Sequence, residues 1–333
     1  IYSLMSKFGI PSLAPELEAE ITSGLAQVEG MLTSRIEGRY LFANETSRHL
    51  IVAGGKRFRP LITILGALVG SGINEKVIKA AAVCELTHLA TLYHDDVMDE
   101  APLRRGVESA NSRWGNSVAI LTGDYLFAKM SQLLAELGPE AVKLQADTFE
   151  RLVIGQILET QGPSKFEDPL AHYLQVVADK TGSLIATSLR FGSMFAGCTK
   201  EEIEILTQFG EKIGIAFQLA DDIIDIASDS HDSGKTPGTD LREGIPTLVT
   251  LNAMKSDDPK DAKLKLALSG PIKSKDKVDW VIKELRNHKA MAESRAQLQQ
   301  IAKEARAALG PLQISQTSSA LFSLCDLVID RVG

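Results

Sequence analysis

HDDVMDEAPLRRG, residues 94–106, sets three aspartates within five positions and two arginines shortly after them. A second run, DDIID at 221–225, repeats the acidic pattern. Successive residues of a helix turn by about 100°, so Asp95 and Asp99 share a face about 6 Å apart along the axis. Gln218, Asp221, Asp222 and Asp225 follow the same spacing, and His88, seven residues before Asp95, falls on nearly the same stripe. The neighbours Leu92, Val97, Leu219, Ile223 and Ile224 are apolar, so both runs are expected in largely buried helices. Buried carboxylates without a partner are expensive, and something cationic must neutralise them. One such motif reads equally well as a solvated acidic edge; two, each inside an apolar helical run, point to metal. Oxygen-only donors suit Mg²⁺ or Mn²⁺ rather than Zn²⁺, and Mg²⁺ fills its octahedron with waters and phosphate oxygens. The aspartates are therefore expected to bind metal, the metal a diphosphate, and Arg104 and Arg105 the remaining anionic oxygens through their forked donors.

Other basic residues fit an anion. Lys56, Arg57 and Arg59 lie in GGKRFRP, residues 54–60, whose glycines permit close backbone approach. Lys180 sits in DKTG and Lys235 in SGKTPGTD. Each alone reads as ordinary surface charge; the acidic motifs give them a common purpose.

The elements that must position these groups are helical. Leu17, Ile21, Leu25, Val28, Met31 and Leu32 recur at helical spacing, as do Val77 and Ala81, then Leu86, Leu89 and Leu92. Residues 118–160, 170–197, 201–228 and 276–309 are rich in helix formers, residues 77–100 read as a helix, and no convincing hairpin appears. Aromatic residues are 5%, low for an all-β protein. The expected fold class is all-α, a bundle of about ten or more helices. Two breaks stand out: GGKRFRP and the Gly-, Pro-, Asp- and Ser-rich stretch 228–247, long enough to be functional.

The chain has 333 residues, enough to bury a large core, with 44% hydrophobic and 24% charged residues. A net charge of -7 argues against a general nucleic-acid binder without forbidding a basic pocket. Cys84, Cys198 and Cys325 are odd in number and far apart, so neither a disulfide framework nor a zinc site is expected. The apolar run from Leu61 is too short and glycine-rich to span a bilayer, and the first residues lack a signal peptide's pattern. A cytoplasmic protein is expected, touching membranes transiently if its product is greasy.

GGKRFRP, HDDVMD followed by RRG, GDYLFA, DKTG, FQLADDIID and GK…DLREG, in this order, resemble the trans-isoprenyl diphosphate synthase (polyprenyl synthetase) family. The resemblance runs from about residue 50 to 250 and more loosely to the C-terminus. It implies residues 1–333 as a single polyprenyl synthetase domain, with the isoprenoid synthase fold of antiparallel helices around a deep central cavity, in a homodimer. It further implies that Asp95 and Asp99 bind Mg²⁺ from one side and Asp221, with Asp225, from the other, in a cluster of about three ions per site. Arg104, Lys180, Thr181, Gln218 and Lys235 would hold an allylic diphosphate; Lys56, Arg59, His88 and Arg105 would hold isopentenyl diphosphate. Catalysis would rest on Asp95, Asp99, Arg104, Lys180, Asp221 and Lys235, by ionisation, condensation and proton loss, with no dedicated general base. Glu159, in GQILE, stands where some members have a metal-binding Asp, and Ile245 where many have Lys.

Members of this family differ in cavity depth. Ala90 and Thr91, one helical turn before Asp95, are both small where short-chain members carry an aromatic plug, so the resemblance favours a product of geranylgeranyl length or longer, as for quinone side chains. Small residues here would equally serve close helix packing. Phe127, Met130 and Leu134 are candidates for a floor, and Tyr93, about 200° from Asp95, should face a neighbouring helix or a partner subunit. A terpene cyclase would need no second diphosphate site; a non-catalytic partner subunit would lack motif residues, and none is missing; a phosphohydrolase would need a positioned water and base, for which no candidate stands out.

Overall fold

The structure, a computed structural model, describes residues 13–227 and 238–332. In chain order the helices are α1 (Pro15–Ile36), α2 (Leu41–Val52), α3 (Phe58–Val69), α4 (Glu75–Met98), α5 (Ala110–Trp114), α6 (Asn116–Leu137), α7 (Pro139–Gln161) and α8 (Pro169–Val177). A π-helical turn, Ala178–Gly182, leads into α9 (Ser183–Phe195), followed by α10 (Lys200–Ala227), α11 (Thr239–Glu243) and α12 (Leu248–Met254). After a 3₁₀ turn come α13 (Ala262–Leu268), α14 (Lys275–Asn287), α15 (Lys289–Ala308) and α16 (Gln316–Asp330). The expected all-α class is what the described residues show. One expectation fails: a hairpin does exist, in which β1 (Leu103–Arg104) pairs antiparallel with β2 (Val107–Glu108). Two residues per strand are too few for any alternation of apolar and polar positions to register.

The chain forms two compact units. One comprises the chain up to Phe149, with Leu184–Thr207 and Pro311–Leu321; the other comprises Glu150–Ser183, Gln208–Gly310 and Phe322–Gly333. In the first unit α4 is the central rod. Its start is capped by the Asn74 side chain, which accepts from the Val77 amide at 3.0 Å. It then runs through AAAVCEL, free of Gly and Pro, with Ala80 to Leu86 all buried. It packs against α6 at its closest approach through Gly123, where a Cβ would stand 2.5 Å from His94 Cδ2 and 3.1 Å from the Ala90 carbonyl. Leu86, Leu89, Tyr93, Leu126 and Leu133 fill the core on either side of that contact.

In the second unit α10 carries DDIID, with Ile223 and Ile226 in the interior. The helix-forming windows divide where local chemistry requires. Gly138, at φ 105°, and Pro139 end α6 and start α7, because a left-handed residue followed by a proline cannot continue a helix but suits a new first turn. No helix among the described residues is long and apolar enough to cross a membrane.

Candidate active site

Asp95 and Asp99 occupy the last turn of α4, with the Asp99 amide donating to the Asp95 carbonyl at 2.8 Å, so the expected one-turn separation is real. Asp95 is half-buried and Asp99 exposed. Asp96 between them points into the protein, fully buried, and receives Arg104: Nε at 2.6 Å and a terminal nitrogen at 2.5 Å, both on Oδ1. Burial raises the Asp96 pKa and Arg104 opposes the rise. Arg104 is thus anchored beside the acidic turn by a carboxylate that the spacing of Asp95 and Asp99 had left out of account.

The hairpin explains how two consecutive arginines diverge. Arg105 and Gly106, at φ 55° and 78°, form its two-residue turn, and left-handed backbone at both central positions matches strand twist. Arg104 turns to Asp96. Arg105 turns to the GGKRFRP loop, donating to the Leu50 carbonyl at 2.8 Å and to the Gly54 carbonyl. Gly55 lies flat against that guanidinium, where a Cβ would be 2.9 Å from Cζ. Arg57, left-handed at φ 52° ahead of α3, is drawn inward to Glu29, to Glu85 at 3.1 Å and to the Ile51 carbonyl at 3.0 Å. Arg59 follows on α3. His88 faces this group; burial and the charges of Arg59, Arg105, Arg104 and Arg57 hold its imidazole well below the ordinary histidine range, so it is neutral at pH 7. Arg59 and His88 both lie near enough to Arg105 to feel its charge, and Lys56 stands exposed in the same loop.

The second unit carries the other expected residues. Asp221 is exposed and bonded at 2.7 Å to Arg331, which follows α16. Asp225, one turn on, is half-buried. Asp222 is buried and accepts from the Tyr173 hydroxyl, from Gln218 Nε2 at 3.0 Å and from the Leu248 amide at 3.2 Å; burial outweighs these donors and pushes its pKa up to about 6. Gln218 is thereby oriented by the same motif that carries Asp221. Lys180 and Thr181 lie in the π-helical turn, a geometry that recurs at functional sites. That turn is pinned through buried Asp179, which accepts from Arg151 Nε at 3.0 Å and Gln175 Nε2 at 2.6 Å. Lys180 Nζ meets Glu159 at 2.6 Å, so Glu159 serves here as the partner of a lysine. Lys235 lies outside the described residues.

Along α4, Ala90 is fully buried at the Gly123 contact, while Thr91 is half-buried with its hydroxyl bonded to the His88 carbonyl at 2.8 Å. Tyr93 does face a neighbouring helix: its hydroxyl donates to the Thr46 carbonyl of α2 at 2.5 Å. Met130 and Leu134 are buried, and Phe127 is partly buried, its ring 5.8 Å from that of His94. Burial pushes the Cys84 and Cys198 thiols up to about 11 and Cys325 to about 12, which leaves none as a nucleophile at neutral pH.

The donor sets fit a hard divalent cation. Among the described residues no three His, Cys, Asp or Glu side chains gather to enclose a metal unaided. Each acidic motif instead offers carboxylates one turn apart, the sparse oxygen-only supply that suits Mg²⁺ completed by water and phosphate oxygens. Sequence reasoning missed Glu85 and Arg151, and it did not separate the inward-facing Asp96 and Asp222 from the other aspartates of their motifs. Glu85 alone carried a signal, a charged residue inside the apolar run AAAVCEL.

Residues 42–285 match the polyprenyl synthetase family model. The nonaprenyl diphosphate synthase of Mycobacterium tuberculosis (strain ATCC 25618 / H37Rv) is 47% identical over 316 residues, 95% of this chain and 94% of that protein. A geranylgeranyl pyrophosphate synthase from Corynebacterium glutamicum, solved with calcium and isoprenyl diphosphate, superposes with a TM-score of 0.88 at 44% identity, over 97% of this chain and 99% of that one. A decaprenyl diphosphate synthase from Rhodobacter capsulatus gives 0.87 at 29% identity, over 96% and 99%. Sequence and structure agree with the order of motifs: this chain belongs to the polyprenyl synthetase family of prenyltransferases.

Proposed function

We propose that the protein is a Mg²⁺-dependent trans-polyprenyl diphosphate synthase that adds isopentenyl diphosphate head-to-tail to an allylic diphosphate, giving a product of geranylgeranyl length or longer. The observation that carries this reading is the hairpin that sends Arg104 to Asp96 at the acidic turn and Arg105 to the GGKRFRP loop, giving two separate groups of cations. An enzyme that only ionises one diphosphate has no use for a second anion site there.

Asp95, Asp99 and Asp221, with Asp225, would hold about three Mg²⁺, for which Mn²⁺ would substitute, and the metal would supply Lewis-acid stabilisation of the departing diphosphate. Arg104, Lys180, Thr181, Gln218 and Lys235 bind the allylic diphosphate and take up the charge released as its C–O bond breaks. Lys56, Arg59, His88 and Arg105 fix isopentenyl diphosphate so that its double bond meets the allylic carbon, forming the new C–C bond. A proton then leaves the adjacent carbon, restoring a double bond, and the released diphosphate accepts it. His88, being neutral, contributes a hydrogen bond rather than charge. Ala90 and Thr91 leave room for the growing chain. The whole chain works as one polyprenyl synthetase domain in a cytoplasmic homodimer, with transient membrane contact at release of the product and quinone side chains as its use.

The test is incubation with Mg²⁺, labelled isopentenyl diphosphate and dimethylallyl, geranyl or farnesyl diphosphate, with the dephosphorylated products sized. Geranylgeranyl and longer chains are expected. Products ending at farnesyl would overturn the chain length, and no condensation from any primer would overturn the activity.

A further inference from the structure

We propose that Glu85 is the positioning residue of the isopentenyl diphosphate site: its buried carboxylate holds guanidiniums from two separate segments, the GGKRFRP loop and the hairpin turn, in the arrangement that receives the diphosphate. The inference rests on reading Lys56, Arg59, His88 and Arg105 as that site.

Glu85 lies in the middle of α4, in AAAVCEL, with only 1% of its surface exposed. A carboxylate there is tolerable only if cations surround it. They do, and they come from different elements. Arg57 precedes α3 and approaches to 3.1 Å; Arg105 comes from the hairpin turn and approaches to 3.8 Å; Arg59, two residues after Arg57, lies within reach of the Glu85 charge. Glu29 pairs with Arg57, whereas Glu85 bridges Arg57 and Arg105.

The arginines oppose one another. Arg105 repels Arg59, and Arg57 and Arg104 repel Arg105. Three like charges brought together before any anion arrives would splay into solvent unless a fixed negative charge sat among them. Glu85 is fixed, being on the central rod one turn before His88, so the helix that carries the histidine also carries the anchor. Arg57 is consumed by this anchoring, since Glu29, Glu85 and the Ile51 carbonyl occupy its donors. Arg105 is steered from both sides, by Glu85 and by the Leu50 and Gly54 carbonyls.

Simple electrostatics makes the opposite forecast. A carboxylate beside an anion site repels the anion, so removing it would tighten binding if the arginines kept their places. The sign of the effect therefore decides. The experiment is steady-state kinetics of Glu85→Gln with isopentenyl diphosphate and the allylic substrate varied in turn, beside Arg59→Ala, with melting temperatures of each. Positioning predicts a KM for isopentenyl diphosphate raised about tenfold or more, with the allylic KM and kcat at saturation within about twofold. Glu85→Asp, which keeps the charge on a shorter stem, should recover part of the loss. An unchanged or lowered KM for isopentenyl diphosphate overturns the proposal, as does an equal rise for both substrates together with a fall in kcat. If Glu85→Gln does not fold, Glu85→Asp is read by the same criterion, with a rise of about threefold confined to isopentenyl diphosphate expected. If Arg59→Ala also leaves that KM unchanged, the site assignment itself falls, a different outcome from failure of Glu85 alone.

Discussion

His88 shows how a residue's role follows from its surroundings. Encircled by four arginines and largely removed from water, its imidazole stays neutral far below the ordinary histidine range. Its folded pKa is therefore depressed. Above about pH 6.5 it is neutral in both states and carries no penalty. As pH falls from there, the unfolded chain takes up a proton that the folded protein refuses, and stability is lost. His88→Gln should abolish this part of the acid sensitivity, measured as denaturant midpoints between about pH 7 and 5. The same variant should keep the dependence of the isopentenyl diphosphate KM on pH flat above about 6.5, because no imidazolium is lost there. A variant as acid-sensitive as the parent would contradict the neutral assignment.

Two elements convert residue chemistry into geometry. The hairpin turn splits Arg104 from Arg105 by left-handed backbone at Arg105 and Gly106. Gly106→Val should destabilise by about 1–3 kcal/mol, since a β-branched residue is strained at this φ, and should weaken diphosphate binding because both arginines move. Thermal melts and substrate KM values check this together. Helix α10 is tied to α8 and α12 through Asp222, which accepts from Tyr173 and from the Leu248 amide. Its folded pKa, about 6, lies above the ordinary value of 3.8. The stability this proton binding adds is fully present below about 3.8 and lost as pH rises through about 6. Asp222→Asn should remove that slope, so the advantage of the parent over the variant should shrink as pH rises from about 4.5 to 7. At pH 7 the variant should still be less stable by about 1–3 kcal/mol, because an amide nitrogen then faces one of the donors.

At the scale of the whole molecule, the proposed product length depends on what α4 leaves open. Ala90 is fully buried against α6, whereas Thr91 keeps partial exposure. Ala90→Phe should overpack that contact and cost about 1–3 kcal/mol. Thr91→Phe should fold normally and shorten the products, read by sizing them from a common primer. Much of this was legible beforehand. Helical periodicity fixed the class, because an apolar stripe at 3.6-residue spacing has only one way to be buried. The turn-spaced Asp95 and Asp99, and the Gln218 to Asp225 run, were readable because a helix imposes its own spacing on them. The order of GGKRFRP, HDDVMD, DKTG and FQLADDIID was enough to place the chain in its family. What only the tertiary structure decided was which charged and polar groups face each other: Asp96 with Arg104, Glu85 with Arg57 and Arg105, Glu159 with Lys180, and Asp222 with the Tyr173 hydroxyl. These partners stand between 8 and 49 residues apart in the chain. Local spacing carries no information about such pairs, because they form only when separate elements are packed together and each buried charge takes the opposite charge that packing brings to it.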